Sequence, residues 1–175
     1  KMYNKLMLNI NSSSFIKKAL FKWALQVGKD YTSIIHAGYN PKFILRLRKK
    51  IASKLIFTKI RNKLGGNIRF FISGGAPLSR NIAEFFASLD IMILEGYGLT
   101  ETSPVLTASR PDKIRFGSPG IPLSNVELKI ASDGEILAKG PNIMKGYYKS
   151  SELTNEVFND DGWFKTGDIG EIDQD

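Results

Sequence analysis

Apolar positions recur at helical spacing through the first third of the chain. Within residues 15–27 they fall at Ile16, Leu20, Trp23 and Val27. A second helical stripe runs Ile44, Leu47, Ile51, Leu55 and Leu64, with Arg46, Arg48, Lys49, Lys50, Lys54 and Lys63 filling much of the remainder. Gly65 and Gly66 then supply a helix stop, because glycine accepts the left-handed cap conformation. Beyond them the pattern changes to short β-favouring runs. Residues 68–72 read as a buried strand, Ser79 as the N-cap of a helix through Ile82, Phe85, Phe86 and Leu89, and residues 91–94 as a second buried strand. Strand, helix, strand at this spacing suggests a parallel βαβ unit. Past Gly117 the texture is that of a β-hairpin, residues 126–130 and 135–139 around the turn Ser132-Asp133-Gly134. A short helix is expected over residues 151–158, then a turn at Asp160-Asp161-Gly162.

Composition narrows the chemistry. The chain has 175 residues, 42% of them hydrophobic and 11% aromatic, which argues against disorder and allows one ordinary core or two small ones. It contains no cysteine, so disulfides, thiolate metal sites and a cysteine nucleophile are excluded, and a single histidine, His36, disfavours a Ser-His-Asp triad. No apolar run approaches the roughly 18 residues of a membrane span. The net charge of +8 hides a split: residues 1–69 carry 16 Lys and Arg against one acid, Asp30, and residues 70–175 carry nine against 16. A basic stretch of that kind raises nucleic acid or an anionic membrane surface as partners.

Four stretches are candidates for chemistry, each with a structural alternative. Ser73-Gly74-Gly75-Ala76-Pro77 follows a strand; its glycines let a flat ligand or a phosphate approach the backbone, or they make a tight strand-to-helix turn. Glu95-Gly96-Tyr97-Gly98-Leu99-Thr100-Glu101-Thr102 is expected as a loop that begins like a dinucleotide fingerprint, but its sixth fingerprint position is Glu101, whose carboxylate would repel a pyrophosphate unless a cation intervened. A metal-mediated reading fits better: the Thr100 hydroxyl for a phosphate oxygen, Glu101 as a hard oxygen ligand for Mg²⁺, and Tyr97 as a ring on which a base stacks. The alternative is a polar loop with a solvated glutamate. In Trp163-Phe164-Lys165-Thr166-Gly167-Asp168, Asp168 is a natural acceptor for two neighbouring hydroxyls, as on a ribose, or an Asx turn opening a strand over residues 169–172. The last stretch, Gly134-Glu135-Ile136 with Gly140-Pro141 and Gly146-Tyr147-Tyr148, reads on its own as hairpin punctuation.

Taken in order, SGGAPL, EGYGLTETSP, GEILAKGPNIMKGYY and DDGWFKTGDIGEID resemble the adenylate-forming superfamily of acyl-CoA synthetases, luciferases and peptide-synthetase adenylation domains. The wording is most similar to bacterial long-chain fatty-acid–CoA ligases, AMP-forming acyl-CoA synthetases, and the run RFFISGGAPLS and the upstream FKWALQVGKD resemble the same subgroup. The resemblance implies an α/β fold, with residues 1–116 as the helical and α/β part of an AMP-binding domain and residues 117–175 as part of its β-rich subdomain. It implies an acid–thiol ligase that uses ATP, Mg²⁺ and coenzyme A on a long-chain fatty acid through an acyl-adenylate. Gly74, Gly75, Ala76 and Pro77 would line the adenine side, Tyr97, between Gly96 and Gly98, would stack on the base, and Glu95 would meet its amino group. Thr100 would contact phosphate, Glu101 would hold Mg²⁺, and Asp168 would accept from both ribose hydroxyls. Thr100 and Glu101 are the catalytic candidates.

The family's phosphate loop, hinge and C-terminal lysine have no counterpart in these 175 residues, so the resemblance implies an internal fragment, inactive by itself, with apolar surface uncovered where the remaining chain would pack. It further implies a cytoplasmic enzyme, with peripheral membrane contact left open and no nucleic-acid partner. Three other readings stand beside it: an adenylating enzyme for a medium-chain, aryl or amino acid, a basic membrane- or nucleic-acid-binding module in residues 1–69, and a truncated gene product without function.

Overall fold

The computed structural model describes residues 2–173. These residues form two compact units, one within Lys1–Ser73 and Pro77–Leu94, the other within Gly74–Ala76 and Glu95–Asp175. The packing boundary at Leu94 lies upstream of the change of texture at Gly117. The reason is in the strand that crosses it, whose last residues pair with a strand of the second unit.

The first unit contains helices α1 (Met2–Asn11), α2 (Phe15–His36) and α3 (Phe43–Ala52), a five-residue π-turn (Ser53–Phe57), α4 (Thr58–Lys63), strand β1 (Phe71–Ser73) and α5 (Arg80–Ser88). β2 (Ile93–Tyr97) begins in this unit. The core joins Phe21, Ala24 and Val27 of α2, Ala52 and Phe57, and Phe85, Phe86, Leu89 and Ile91. Helix α1, with no expectation from sequence, adds Met2, Tyr3, Leu6, Met7 and Ile10 to this core at i, i+3, i+4 spacing. Tyr3 meets the Phe85 ring edge-on at 4.8 Å. Where α2 packs on α5, a Cβ at Gly28 would lie 2.0 Å from the Ser88 carbonyl oxygen, so only glycine lets the two backbones approach this closely.

Three expectations change in this unit. The stripe Ile44, Leu47, Ile51 and Leu55 is helical but faces outward, and α3 buries Lys49 and Ala52 instead. From Ala52 the next buried side chain is Phe57, five positions on, which is the spacing of the π-turn; the wider turn brings Phe57 back to the same core that Ala52 joins. The strand expected over residues 68–72 is confined to β1, where the Phe71 amide donates to the Met92 carbonyl, and Ile72 is exposed. Ser79 is the N-cap of α5, yet its hydroxyl makes no capping bond; its carbonyl accepts the first helical bonds, from Ile82 and Ala83. Gly65 and Gly66 end the helical run as expected, both at positive φ.

The second unit is mainly β. The end of β2 pairs antiparallel with β3 (Thr107–Ala108), which pairs with β4 (Ile121–Pro122). β5 (Glu127–Ile130), β6 (Glu135–Lys139) and β7 (Phe164–Ile169) form a three-stranded antiparallel sheet, with the expected hairpin as its first two strands. Helix α6 (Ser151–Val157) falls within the expected residues. Leu106, Val126, Ala138 and Phe164 make the core, and Phe158 lies 5.5 Å from Phe164 between ring centres. Two placements differ from the sequence reading. Glu95, Gly96 and Tyr97 belong to β2 and not to a loop, because Gly96 and Tyr97 pair with Ala108 and Thr107. Asp168 lies inside β7, since that strand starts at Phe164 and stops at Ile169.

Among the described residues, no helix is long and apolar enough to cross a membrane.

Candidate active site

The site grows from the end of β2. Gly96 and Tyr97 are held by β3, and the Glu95 carbonyl accepts from the Ser109 amide at 2.7 Å. On β7, 71 residues further along the chain, the Asp168 carboxylate Oδ2 accepts the Tyr97 phenol proton at 2.8 Å. Burial pushes the Tyr97 phenol up from 10.0 to about 12; the Thr166 hydroxyl offsets part of this, and the negative charges of Asp168 and Glu135 add to it. Tyr97 is therefore a proton donor at every physiological pH. The backbone around Asp168 is fixed from both sides. The Gly167 amide donates to Glu135 Oε1 at 2.8 Å, the Asp168 amide to Thr166 Oγ1 at 3.2 Å, and the Thr166 hydroxyl to the Ile136 carbonyl at 2.8 Å. The Asp168 carboxylate itself stays exposed.

After Tyr97 the chain turns sharply. A Cβ at Gly98 would lie 2.0 Å from the Pro104 carbonyl oxygen, so this position also admits only glycine. A single 3₁₀ turn, Thr100–Thr102, follows. Thr102 is fully buried, and its Oγ1 accepts from the Leu99 amide at 2.9 Å. Thr100 is left exposed beside Glu101.

Tyr147, read from sequence as hairpin punctuation, and Asn142 and Met144, which sequence reasoning did not single out, hold this turn in place. Asn142 Nδ2 donates to the carbonyls of Thr102 (2.8 Å) and Val105 (3.0 Å), and the Met144 amide donates to the Glu101 carbonyl at 2.7 Å. The Tyr147 hydroxyl donates to Glu101 Oε1 at 3.1 Å, and that bond holds the Tyr147 phenol above its ordinary range. The sequence signal was present, as the run Gly140-Pro141-Asn142 and Gly146-Tyr147. Its partners stand about 40 residues away, out of reach of local pattern.

Of the site residues read from sequence, the structure joins Tyr97 to Asp168 directly. It also groups Gly74, Gly75 and Ala76 with the Glu95–Tyr97 stretch, a Cβ at Gly74 falling 3.5 Å from the Gly96 carbonyl oxygen. Pro77 belongs to the other unit. Among the described residues, no three His, Cys, Asp or Glu side chains cluster to form a metal cage. A lone hard carboxylate next to a hydroxyl suits Mg²⁺, which takes one or two carboxylates and completes its shell with substrate phosphates and water. Glu101 and Thr100 fit that requirement.

Comparison with known proteins shows the family in which these strands, the glycine-rich turn and the tyrosine–aspartate pair occur. Residues 19–148 match the AMP-binding enzyme family, and the chain belongs to it. It is 37% identical, over all 175 residues, to a long-chain-fatty-acid–CoA ligase (FadD15) of Mycobacterium bovis, of which it covers 28%. Among solved structures it is similar to MatB of Rhodopseudomonas palustris in its apo form, with 34% identity, a TM-score of 0.59, and 73% of this chain and 28% of that one covered. It is also similar to the O-succinylbenzoate coenzyme A synthetase MenE of Bacillus subtilis in complex with AMP, with 34% identity, a TM-score of 0.55, and 61% and 24% covered. The chain thus spans about a quarter of the length of these relatives. Asp168 lies beyond the residues matched by the family.

Proposed function

We propose that this chain forms the nucleotide-binding face of an ATP-dependent ligase that joins a long-chain fatty acid to coenzyme A. The carboxylate oxygen of the fatty acid attacks the α-phosphate of ATP. The bond to the β-phosphate breaks, releasing pyrophosphate and leaving an acyl-adenylate. The thiol of coenzyme A then attacks the acyl carbon, and AMP departs. The observation that carries this reading is the Tyr97–Asp168 hydrogen bond, which brings the two residues assigned independently to base and ribose to 2.8 Å of one another. The long-chain acid follows the names of the curated relatives, and the nucleotide is in keeping with the AMP complex of the MenE relative.

Each residue has a role in this scheme. Gly74, Gly75, Ala76 and Pro77 line the adenine side, Tyr97 stacks on the base between Gly96 and Gly98, and Glu95 takes the amino group. Asp168 accepts the ribose hydroxyls while the Tyr97 hydroxyl keeps its carboxylate aimed. Thr100 donates to a phosphate oxygen, and Glu101, held by Tyr147, is the ligand for Mg²⁺. That ion, when bound, screens phosphate charge and acts as a Lewis acid. The residues themselves contribute position and preorganised polarity. Residues 1–116 serve as the helical and α/β part of the AMP-binding domain and residues 117–175 as part of its β-rich subdomain. The same reading implies a cytoplasmic enzyme.

The test is AMP binding by titration calorimetry. Replacing Asp168 by Ala removes a charged acceptor for two hydroxyls and weakens AMP binding by about tenfold to a hundredfold. An unchanged affinity in that variant would overturn the assignment.

A further inference from the structure

The first unit carries a cleft lined by charged side chains, none of them among the residues just described. It has a volume of about 500 Å³ and is lined by Tyr31 of α2, by Arg46, Lys49, Lys50 and Lys54 of α3 and the π-turn, and by Asp90. Asp90 precedes β2, at the opposite end of that strand from Glu95, Gly96 and Tyr97.

The charges in the cleft do not balance. Lys49 is buried, with its ammonium 4.4 Å from the centre of the Phe57 ring and 5.5 Å from that of Tyr31. A buried cation needs a counter-charge, and Asp90 provides it, Oδ1 lying 2.6 Å from Lys49 Nζ. Arg61 approaches the other oxygen, at 4.0 Å. Asp90 has φ 60°, a left-handed conformation that a non-glycine residue adopts at a cost. It is the second residue past α5, following the C-cap Leu89, where the Ile91 amide closes back on the Phe86 carbonyl. Glycine is the ordinary choice there, and a carboxylate kept at that position has its use in neutralising Lys49. With Asp90 so engaged, Arg46, Lys50 and Lys54 make no ion pair among the described residues. They recur every four positions on the exposed side of one helical run, a spacing at which like charges are neighbours and repel one another. Ser53 and Thr58 add neutral hydroxyls to the rim.

We propose that this cleft binds a phosphate group. Three free cations with two hydroxyl donors match a ligand carrying nearly two negative charges and three acceptor oxygens better than a carboxylate. The binding relieves the repulsion among the cations and leaves the Lys49–Asp90 pair intact. Phosphates reach such a cleft from a soluble phosphate ester or from a phospholipid headgroup. The latter suits the exposed apolar side chains Phe43, Ile44, Leu47, Ile51 and Leu55 of the same helical run.

The experiment uses inorganic pyrophosphate in titration calorimetry and vesicles of phosphatidylglycerol or phosphatidylcholine in cosedimentation. The protein is compared with Arg46→Gln/Lys50→Gln/Lys54→Gln and with a control of equal charge loss, Lys17→Gln/Lys22→Gln/Lys29→Gln, at exposed positions of α2 outside the cleft. All six side chains are at the surface or its edge, so the variants keep the fold, which thermal melting verifies. The expected result is pyrophosphate binding weakened about tenfold in the cleft variant and unchanged in the control. Binding to phosphatidylglycerol vesicles that is lost in the cleft variant and competed by pyrophosphate identifies the headgroup as the source. Pyrophosphate binding without vesicle binding identifies a soluble ester. Equal losses in cleft variant and control, or no loss in either, overturn the proposal.

Discussion

Tyr97 shows how one side chain acquires two duties from its surroundings. Its ring packs with the core of the β-rich unit, and its hydroxyl is spent on Asp168. The folded chain holds this proton to about pH 12, whereas an unfolded tyrosine releases it near 10. In that window the unfolded state binds fewer protons, so stability is complete below pH 10 and falls as pH rises toward 12. Alkaline unfolding followed by circular dichroism is expected to be less steep between pH 10 and 12 in Tyr97→Phe than in the parent chain. Glu101 offers a cleaner separation of structure from chemistry. Glutamine at this position retains an oxygen for the Tyr147 hydroxyl but loses the negative charge. Glu101→Gln should therefore melt within a few degrees of the parent, while in the full-length ligase that contains this chain the Mg²⁺ concentration that half-saturates fatty-acid-dependent adenylation rises about tenfold or more. Adenylation that is indifferent to the substitution at limiting Mg²⁺ would remove Glu101 from the metal's coordination. Both side chains were legible as candidates from residue type and spacing. Their partners were not, since nothing local to Tyr97 or Glu101 points to Asp168 or Tyr147.

Between elements, the contact that fixes the helical unit is backbone on backbone. Gly28 sits inside α2, where glycine costs about 1 kcal/mol relative to alanine in a helix. The structure tolerates that loss because the Ser88 carbonyl occupies the space of a Cβ. Gly28→Ala should improve the helix yet lower the stability of the chain by about 1–3 kcal/mol through overpacking, measurable by urea unfolding. An unchanged or higher midpoint would mean that α2 and α5 separate at no cost. Elements with their own local signal were read correctly from sequence: the β5–β6 hairpin with its Asp133-Gly134 turn, and α5 with its apolar repeat. The outward face of α3 was not, because an i, i+3, i+4 stripe marks a helix without saying which side is covered, and nothing local marks the π-turn that carries the core contact on from Ala52 to Phe57. β3 and β4, two residues each, carry no periodicity at all. Their pairing is what turns an expected loop at Glu95, Gly96 and Tyr97 into a strand.

Across the whole molecule, stability resides in two separate cores with different partners. Phe164 anchors the β-rich core and Phe57 the helical one, and both are buried. Truncating either to alanine removes about 3–5 kcal/mol from its own unit. In Phe164→Ala, amide exchange should accelerate first in β5, β6 and β7, and in Phe57→Ala, first in α2 and α5. Protection lost uniformly in both variants would show a single cooperative core instead. The family was legible at this scale because four weak motifs in fixed order are jointly specific. The strand pairing that recruits residues from Glu95 onward into the second unit carries no such signal in the sequence. The pair of hydrogen bonds donated by Asn142 has a bearing on how long such a molecule stays competent. Its amide nitrogen alone spans the Thr102 and Val105 carbonyls behind Glu101. Spontaneous hydrolysis of that amide would leave a carboxylate facing two carbonyl oxygens, turning attraction into repulsion with no change in the fold's larger contacts. A population ageing in this way would lose the seat of Glu101 before it lost its shape, and would look native to any probe of secondary structure.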